Sequence, residues 1–291
     1  MNGFVQVLFW GLYAGCIYIL LATGLTLIFG VMKIVNFAHG ELLMMGAYVT
    51  YFFAYKFGLN PYVGILVSMG MLSIVGVAVQ KLCFQPIYGT GKLNEIFLSL
   101  GLIYFFQNLV AYIFGDDWRS IQSPFQNRTI SLSWFNLPWD YIIIILVTLF
   151  ILAAIAIFLN KTSVGRAIRA TSQNREAALL VGIDVKKMDT ITFALGSALA
   201  AAAGTLWAVS GQLFNPYIGS IPAIKAFAII ILGGLGSVRG AIIGGLAYGL
   251  IENIAAYLLG GDWKDATAFV LLMAVLIFKP EGIFGEEEIV K

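Results

Sequence analysis

Apolar residues along this chain gather into runs of about 20, the length that carries a helix across a bilayer core at about 1.5 Å per residue. Eight main runs stand out: residues 4–30, 40–57, 61–84, 95–114, 140–159, 189–211, 223–260 and 265–278. A membrane β-barrel would instead alternate over strands of about ten residues, with few long apolar runs, so that architecture is excluded. Asn60-Pro61 and Gln85-Pro86 punctuate two of the joins, because proline and the residue before it disfavour a continuing helix. The run 4–30 has no basic segment ahead of it and is too long for a signal-peptide core, so it reads as a retained span, tilted or broken. The run 223–260 exceeds one span and is interrupted by glycines. A short half-helix followed by a full helix accounts for it better than one continuous span, and places the tail 279–291 in the cytoplasm. The pattern predicts an all-α, polytopic transmembrane helix bundle of about eight or nine spans. No Ser/Pro-rich linker or charge block divides residues 1–291, which read as one membrane domain.

Composition sharpens this picture. Of 291 residues, 60% are hydrophobic and 11% charged, against about 25% charged in a soluble domain. Thirty-two glycines, with small residues at four-residue spacing (Gly11/Gly15 and Gly196/Ala200/Gly204), predict helices packed closely through their backbones. A net charge of +2 gives no footing for nucleic acid. Cys16 and Cys83 lie in apolar runs and read as small core residues. A faint echo at an offset of 200, in which Gly40, Ala47 and Tyr48 recur as Gly240, Ala247 and Tyr248, raises the question of an internal repeat.

Lys and Arg set the orientation. With loop 160–188 in the cytoplasm, its side carries Lys33, Lys81, Lys92, Lys161, Arg166, Arg169, Arg175, Lys186 and Lys187. The other side carries Lys56, Arg119, Arg128 and Lys225. The bias predicts an outside N-terminus and an external loop 115–139, with Asp116, Asp117, Trp118 and Trp134 near the interface.

Polar groups within the runs are the candidates for chemistry, because ionisable groups at membrane depth are costly. Asn36, His39 and Glu41 head the second run. They serve either as a helix start, with Asn36 as cap and Glu41 at the positive dipole end, or as pathway or gating groups. Gln107-Asn108 and Glu252-Asn253 lie inside apolar runs and are candidates for a water-filled path or for interhelical hydrogen bonds. His39 is the only histidine, which removes a multi-histidine metal site. Gly233-Gly234-Leu235-Gly236-Ser237-Val238-Arg239-Gly240 lacks a preceding strand and the dinucleotide spacing, and reads as a break between helices or as tight packing. Gly89-Thr90-Gly91-Lys92 is not a phosphate-binding loop, because the first glycine is missing and Leu93 stands where Ser or Thr is needed. No ATP site and no catalytic set is found.

The basic loop 161–188 predicts a short helix from Glu176 to Val181, capped by Ser172 or Asn174 and stopped by Gly182. Ala177, Leu180 and Val181 share one face, with Arg166, Arg169 and Arg175 available for an acidic rim on a partner. The pattern Glu176-Ala177-Ala178-x-x-x-Gly182 resembles the coupling loop of ABC-transporter permeases. The resemblance extends to residues 24–41 (GLTLIFGVMKIVNFAHGE), 165–170 (GRAIRA), 192–204 (TFALGSALAAAAG) and 232–241 (LGGLGSVRGA). Over nearly its full length the chain resembles the branched-chain amino acid permeases of that superfamily, the LivH-type membrane subunit. It departs from the general importer pattern, which continues towards Ile-x-Leu-Pro, where Ile191 is followed by Thr192-Phe193-Ala194.

The resemblance implies an ABC importer permease fold and a non-enzymatic transport subunit in the cell (inner) membrane. It implies a homologous second permease, two ABC ATPase subunits docked on loop 161–188, and an extracytoplasmic substrate-binding protein. No cofactor is expected on this chain; ATP and magnesium belong to the ATPases. The implied substrate is leucine, isoleucine or valine, with urea or a short-chain amide as the alternative within the family. A stand-alone secondary transporter using Glu41 or Glu252 is the alternative from another class.

Overall fold

The computed structural model describes residues 2–126, 128–132, 135–279 and 282–284. Its elements, in chain order, are α1 (Asn2–Met32), α2 (His39–Phe57), α3 (Gly64–Val79), a π-turn (Gln80–Phe84), α4 (Gln85–Ile87) and α5 (Lys92–Phe114). A two-stranded antiparallel hairpin follows, β1 (Thr129–Leu132) and β2 (Phe135–Pro138), with Thr129 opposite Pro138. Then come α6 (Trp139–Lys161), α7 (Ser163–Gln173), α8 (Arg175–Leu180), α9 (Val185–Val209), α10 (Ser220–Gly233), α11 (Val238–Leu259) and α12 (Trp263–Phe278). The hairpin is a small departure from an all-helical chain. Trp134, and the tail beyond Phe284, lie outside the described residues.

Six helices among the described residues are long and apolar enough to cross a membrane: Gly3–Met32, Gly64–Ile87, Lys92–Phe114, Trp139–Lys161, Val185–Val209 and Val238–Leu259. The other expected spans are shorter pieces. Run 223–260 divides into α10 and α11 at Gly234 and Gly236, both at positive φ. At 14 residues α10 is about 21 Å long and cannot cross alone. The run at 40–57 likewise does not begin at a membrane surface. The chain leaves α1 at Met32, and α2 opens with the His39 ring 3.2 Å from the carbonyl of Leu21, eleven residues back along α1 or about 16 Å. Residues 33–38 therefore turn back into the bundle, starting from Lys33, the one non-glycine residue at positive φ among the described residues.

The centre is built from α1 and α9, the most deeply buried helices. They run antiparallel, since the end of α1 and the start of α9 share Arg175 as a partner, and they cross where Gly24 and Gly196 meet backbone to backbone. α9 affords this because Gly196, Ser197, Ala198 and Ala200–Ala203 are all small and buried. Gly11 and Gly15 of α1 interlock with Gly245 and Gly249 of α11, so a methyl at any of them would strike backbone. The same α1–α2–α3 arrangement returns as α9–α10–α11, upside down. α1 packs along α11 as α9 packs along α3, and each full helix is followed by a re-entrant stretch and a half-helix, meaning one that starts inside the bundle, of 19 residues in α2 and 14 in α10. The offset-200 echo does not join these equivalents. Gly40 opens the half-helix α2, whereas Gly240 opens the full helix α11.

Cys16 and Cys83 are free thiols. Outside the bundle, Arg119 and Phe214 exchange backbone hydrogen bonds, clamping the loop after α5 to the loop after α9. Ile283 and Phe284 donate their N–H groups to Leu232 and Gly233, so the chain after α12 returns to the end of α10. That end lies on the face that carries the basic loop.

Candidate functional site

The basic loop folds into two short helices at one end of the bundle. Thr162 caps α7, its Oγ1 accepting from Gly165 N at 2.9 Å, and Gly165 lies so close to the Phe158 carbonyl that no side chain fits. Ile168 and Thr171 bury the inner face of α7. Asn174, not Ser172, caps α8, its Oδ1 accepting from Ala177 N at 2.9 Å. Gly182 at φ +81° closes the helix, with Ile183 N–H bonded to the Ala178 carbonyl. Ala178 is buried, whereas Glu176 and Ala177 are exposed. Leu179, Leu180 and Val181 are 57%, 89% and 75% exposed, which makes an apolar tip standing clear of the bundle.

The three arginines separate. Arg166 and Arg169 are exposed, and Arg169 bonds Asn160 at 2.7 Å. Arg175 is not available for a partner's rim. It turns inward, donating to both carboxylate oxygens of Asp189 at 2.9 and 2.5 Å and to the Val31 carbonyl at 3.3 Å. Its guanidinium stacks over the Tyr88 ring at 4.5 Å. One side chain thus ties α8 to the start of α9, the end of α1 and the turn before α5. Asp189 escaped the sequence reading because it sits within an apolar run, fourteen residues from its partner.

A second polar group lies where the half-helices meet. Asn36, His39 and Glu41 are at most 1% exposed, far from any helix-end surface. Asn36 does not cap α2; its Oδ1 accepts from Ala38 N in the re-entrant turn, and Ala38 is the N-cap. Gly40 and Gly219 touch backbone to backbone, bringing together the starts of α2 and α10. Gln107 of α5 donates to Glu41 Oε1 at 2.9 Å and lies 3.2 Å from Ser220 Oγ. Asn108 does not join this group. One residue is a turn of about 100° on a helix, so Asn108 faces outward and bonds the Tyr104 carbonyl four residues back.

Glu252 is fully buried and paired within the bundle. It accepts from Lys225 Nζ at 2.6 Å and from the Tyr18 hydroxyl at 3.2 Å. Lys225 in turn reaches Asp265 at 2.8 Å. Lys225 is therefore not an external-loop residue: it is 3% exposed, within α10. Asn253 bonds the Gly249 carbonyl of its own helix. Sequence reasoning missed Lys225 and Asp265 as partners of Glu252, and the isolated lysine within an apolar run was the available signal. Gly233 and Gly240 pack against each other across the α10–α11 break, so that glycine cluster serves both the break and the close approach.

Comparison with known proteins bears on this arrangement. Residues 7–276 match the protein family described as branched-chain amino acid transport system / permease component. The chain is 33% identical, over 99% of its length and 97% of the relative's, to the high-affinity branched-chain amino acid transport system permease protein LivH of Salmonella typhimurium. It is 31% identical, over 99% and 98%, to the corresponding permease protein BraD of Pseudomonas aeruginosa. Among solved structures, PsaBC from Streptococcus pneumoniae in complex with Fab aligns at a TM-score of 0.51, covering 97% of this chain and 94% of that one at 14% identity. That likeness is one of fold.

Proposed function

The chain belongs to the family of branched-chain amino acid transport permease components, and from that membership we propose that it is the membrane-spanning subunit of an ATP-driven importer of leucine, isoleucine and valine. It pairs with a homologous second permease to enclose the path. Two ABC ATPases, carrying ATP and magnesium, dock on the cytoplasmic loop 161–188, and an extracytoplasmic protein delivers the substrate. The whole assembly sits in the inner membrane.

The observation that carries the reading is the form of α8. The solvent-facing apolar tip of α8 packs against nothing among the described residues, and its exposed Leu180 and Val181 fit a groove on another protein. The Arg175 node makes such a contact mechanically effective. Force on α8 reaches α9 and α1 through an ion pair and not through slack loop. In this reading Asn36, His39, Glu41 and Gln107 act at the half-helix junction, where α2 and α10 part or close during transport.

The test is reconstitution of the complete complex with its binding protein. Leu180→Asp and Gly182→Trp are expected to insert normally yet lower substrate-coupled uptake at least tenfold. Unchanged uptake by both variants, or uptake by this chain alone without ATPases, would refute the coupling role. The ion pair that Lys225 makes with Glu252 Oε1 argues against a stand-alone ion-coupled carrier that uses this carboxylate.

A further inference from the structure

Three lysines on which the coupling argument does not draw, two of them at the end of loop 161–188, gather at one cleft. Lys81 lies on the π-turn at the foot of α3, and Lys186 and Lys187 lie in the first turn of α9. With Gln85 and Thr190 they line a cleft of about 310 Å³. Lys81, Gln85 and Lys186 also border the neighbouring hollow beneath Arg175. None of the three lysines is within ion-pair distance of a carboxylate among the described residues. Of the nearby acids, Asp189 is held by Arg175. Asp184 caps α9, its Oδ1 accepting from Lys187 N at 3.1 Å. Three ammonium groups against one free carboxylate leave the cleft with an excess of two positive charges.

The surroundings are amphipathic. Thr190 and Gln80 bond each other at 2.9 Å at the back of the site. The half-exposed Ile191 lines the cleft, and Leu82, next to Lys81 in the chain, is 76% exposed. Lysine excess places this end of the bundle at the cytoplasmic surface, where anionic headgroups are found. We propose that this cleft binds the phosphate of an anionic phospholipid from the cytoplasmic leaflet, with its acyl chains lying against Leu82 and Ile191. Basic pockets between transmembrane helices at this depth suit such headgroups. An acidic protein surface would satisfy the lysines equally but gives no reason for all three to lie within membrane-crossing helices, Gly64–Ile87 and Val185–Val209.

The probe is phosphatidylglycerol offered against phosphatidylcholine to the full-length chain, with retained lipid counted by native mass spectrometry. The wild type is expected to retain phosphatidylglycerol preferentially, and Lys81→Gln/Lys186→Gln/Lys187→Gln to lose that preference, by about fivefold per lysine. A control, Lys33→Gln/Lys92→Gln/Lys161→Gln, removes the same charge from the same face outside the cleft and is expected to behave as wild type. Equal retention by all three chains, or equal loss in the control, overturns the site. Release of the lipid by inorganic phosphate would show a free-anion site and overturn the lipid assignment. Retention by the isolated chain that vanishes in the assembled complex would give the cleft to an acidic surface of the ATPase, and overturn it equally.

Discussion

Lys225 and Glu252 show how single side chains set limits in this molecule. Each charge is costly to remove from water, and each is tolerated because the other is 2.6 Å away. Their dependence is unequal. Lys225 has a second carboxylate in Asp265, but Glu252 has only Lys225 and the Tyr18 hydroxyl. Lys225→Met is therefore expected to cost about 3–5 kcal/mol by stranding a buried carboxylate, and Glu252→Gln distinctly less. Melting of the two variants in detergent checks the order. Arg175 poses the same question outside the core. Arg175→Lys keeps the charge but loses the two-point grip on Asp189 and the stack on Tyr88. Expression and folding are expected to hold, with coupled uptake reduced several-fold in the reconstituted complex.

Among helices, the fold depends on where side chains are missing. At Gly204 an added methyl would collide with the Leu43 carbonyl, and at Gly46 with the backbone of Ala201, whereas Gly70 and Gly101 have nothing within 4 Å. Gly204→Ala is expected to lower the melting temperature markedly, and Gly101→Ala to leave it unchanged or slightly raised. Measuring both separates close approach from helix propensity. The small-residue spacing of Gly11/Gly15 and Gly196/Ala200/Gly204 announced these contacts in the sequence, and Asn174 and Gly182 announced the limits of α8. The half-helix α2 was not legible. Its apolar run looks like any other, and only the Leu21–His39 contact, eighteen residues apart, shows that it begins inside the bundle. Arg175 misled for a related reason: charge predicts exposure, but a carboxylate fourteen residues later turned the side chain inward.

For the whole molecule, the orientation expected from the basic residues rests on a stronger bias once Lys225 is removed from the outer side. Of the loop residues weighed from the sequence up to α10, that side then holds Lys56, Arg119 and Arg128 against nine on the other. A single cysteine at Leu180 in a cysteine-free background is expected to react with a membrane-impermeant maleimide only in inverted vesicles. One at Tyr55, 81% exposed in the last turn of α2, is expected to react only in right-side-out ones. The reverse result would invert the topology and remove loop 161–188 from any cytoplasmic ATPase.

The half-helices bear on how the chain is made. α2 carries Glu41 and α10 carries Lys225, and neither is a segment that the insertion machinery would hand to lipid unaided. The shelter for α2 is α9, which leaves the ribosome more than a hundred residues later. The counter-charge for Lys225 follows it by twenty-seven. Biogenesis must therefore hold an unsheltered segment at the translocon until the second half of the chain arrives. A nascent chain that ends after α6 is expected to be degraded faster than the full chain, which pulse-chase labelling of the two would check.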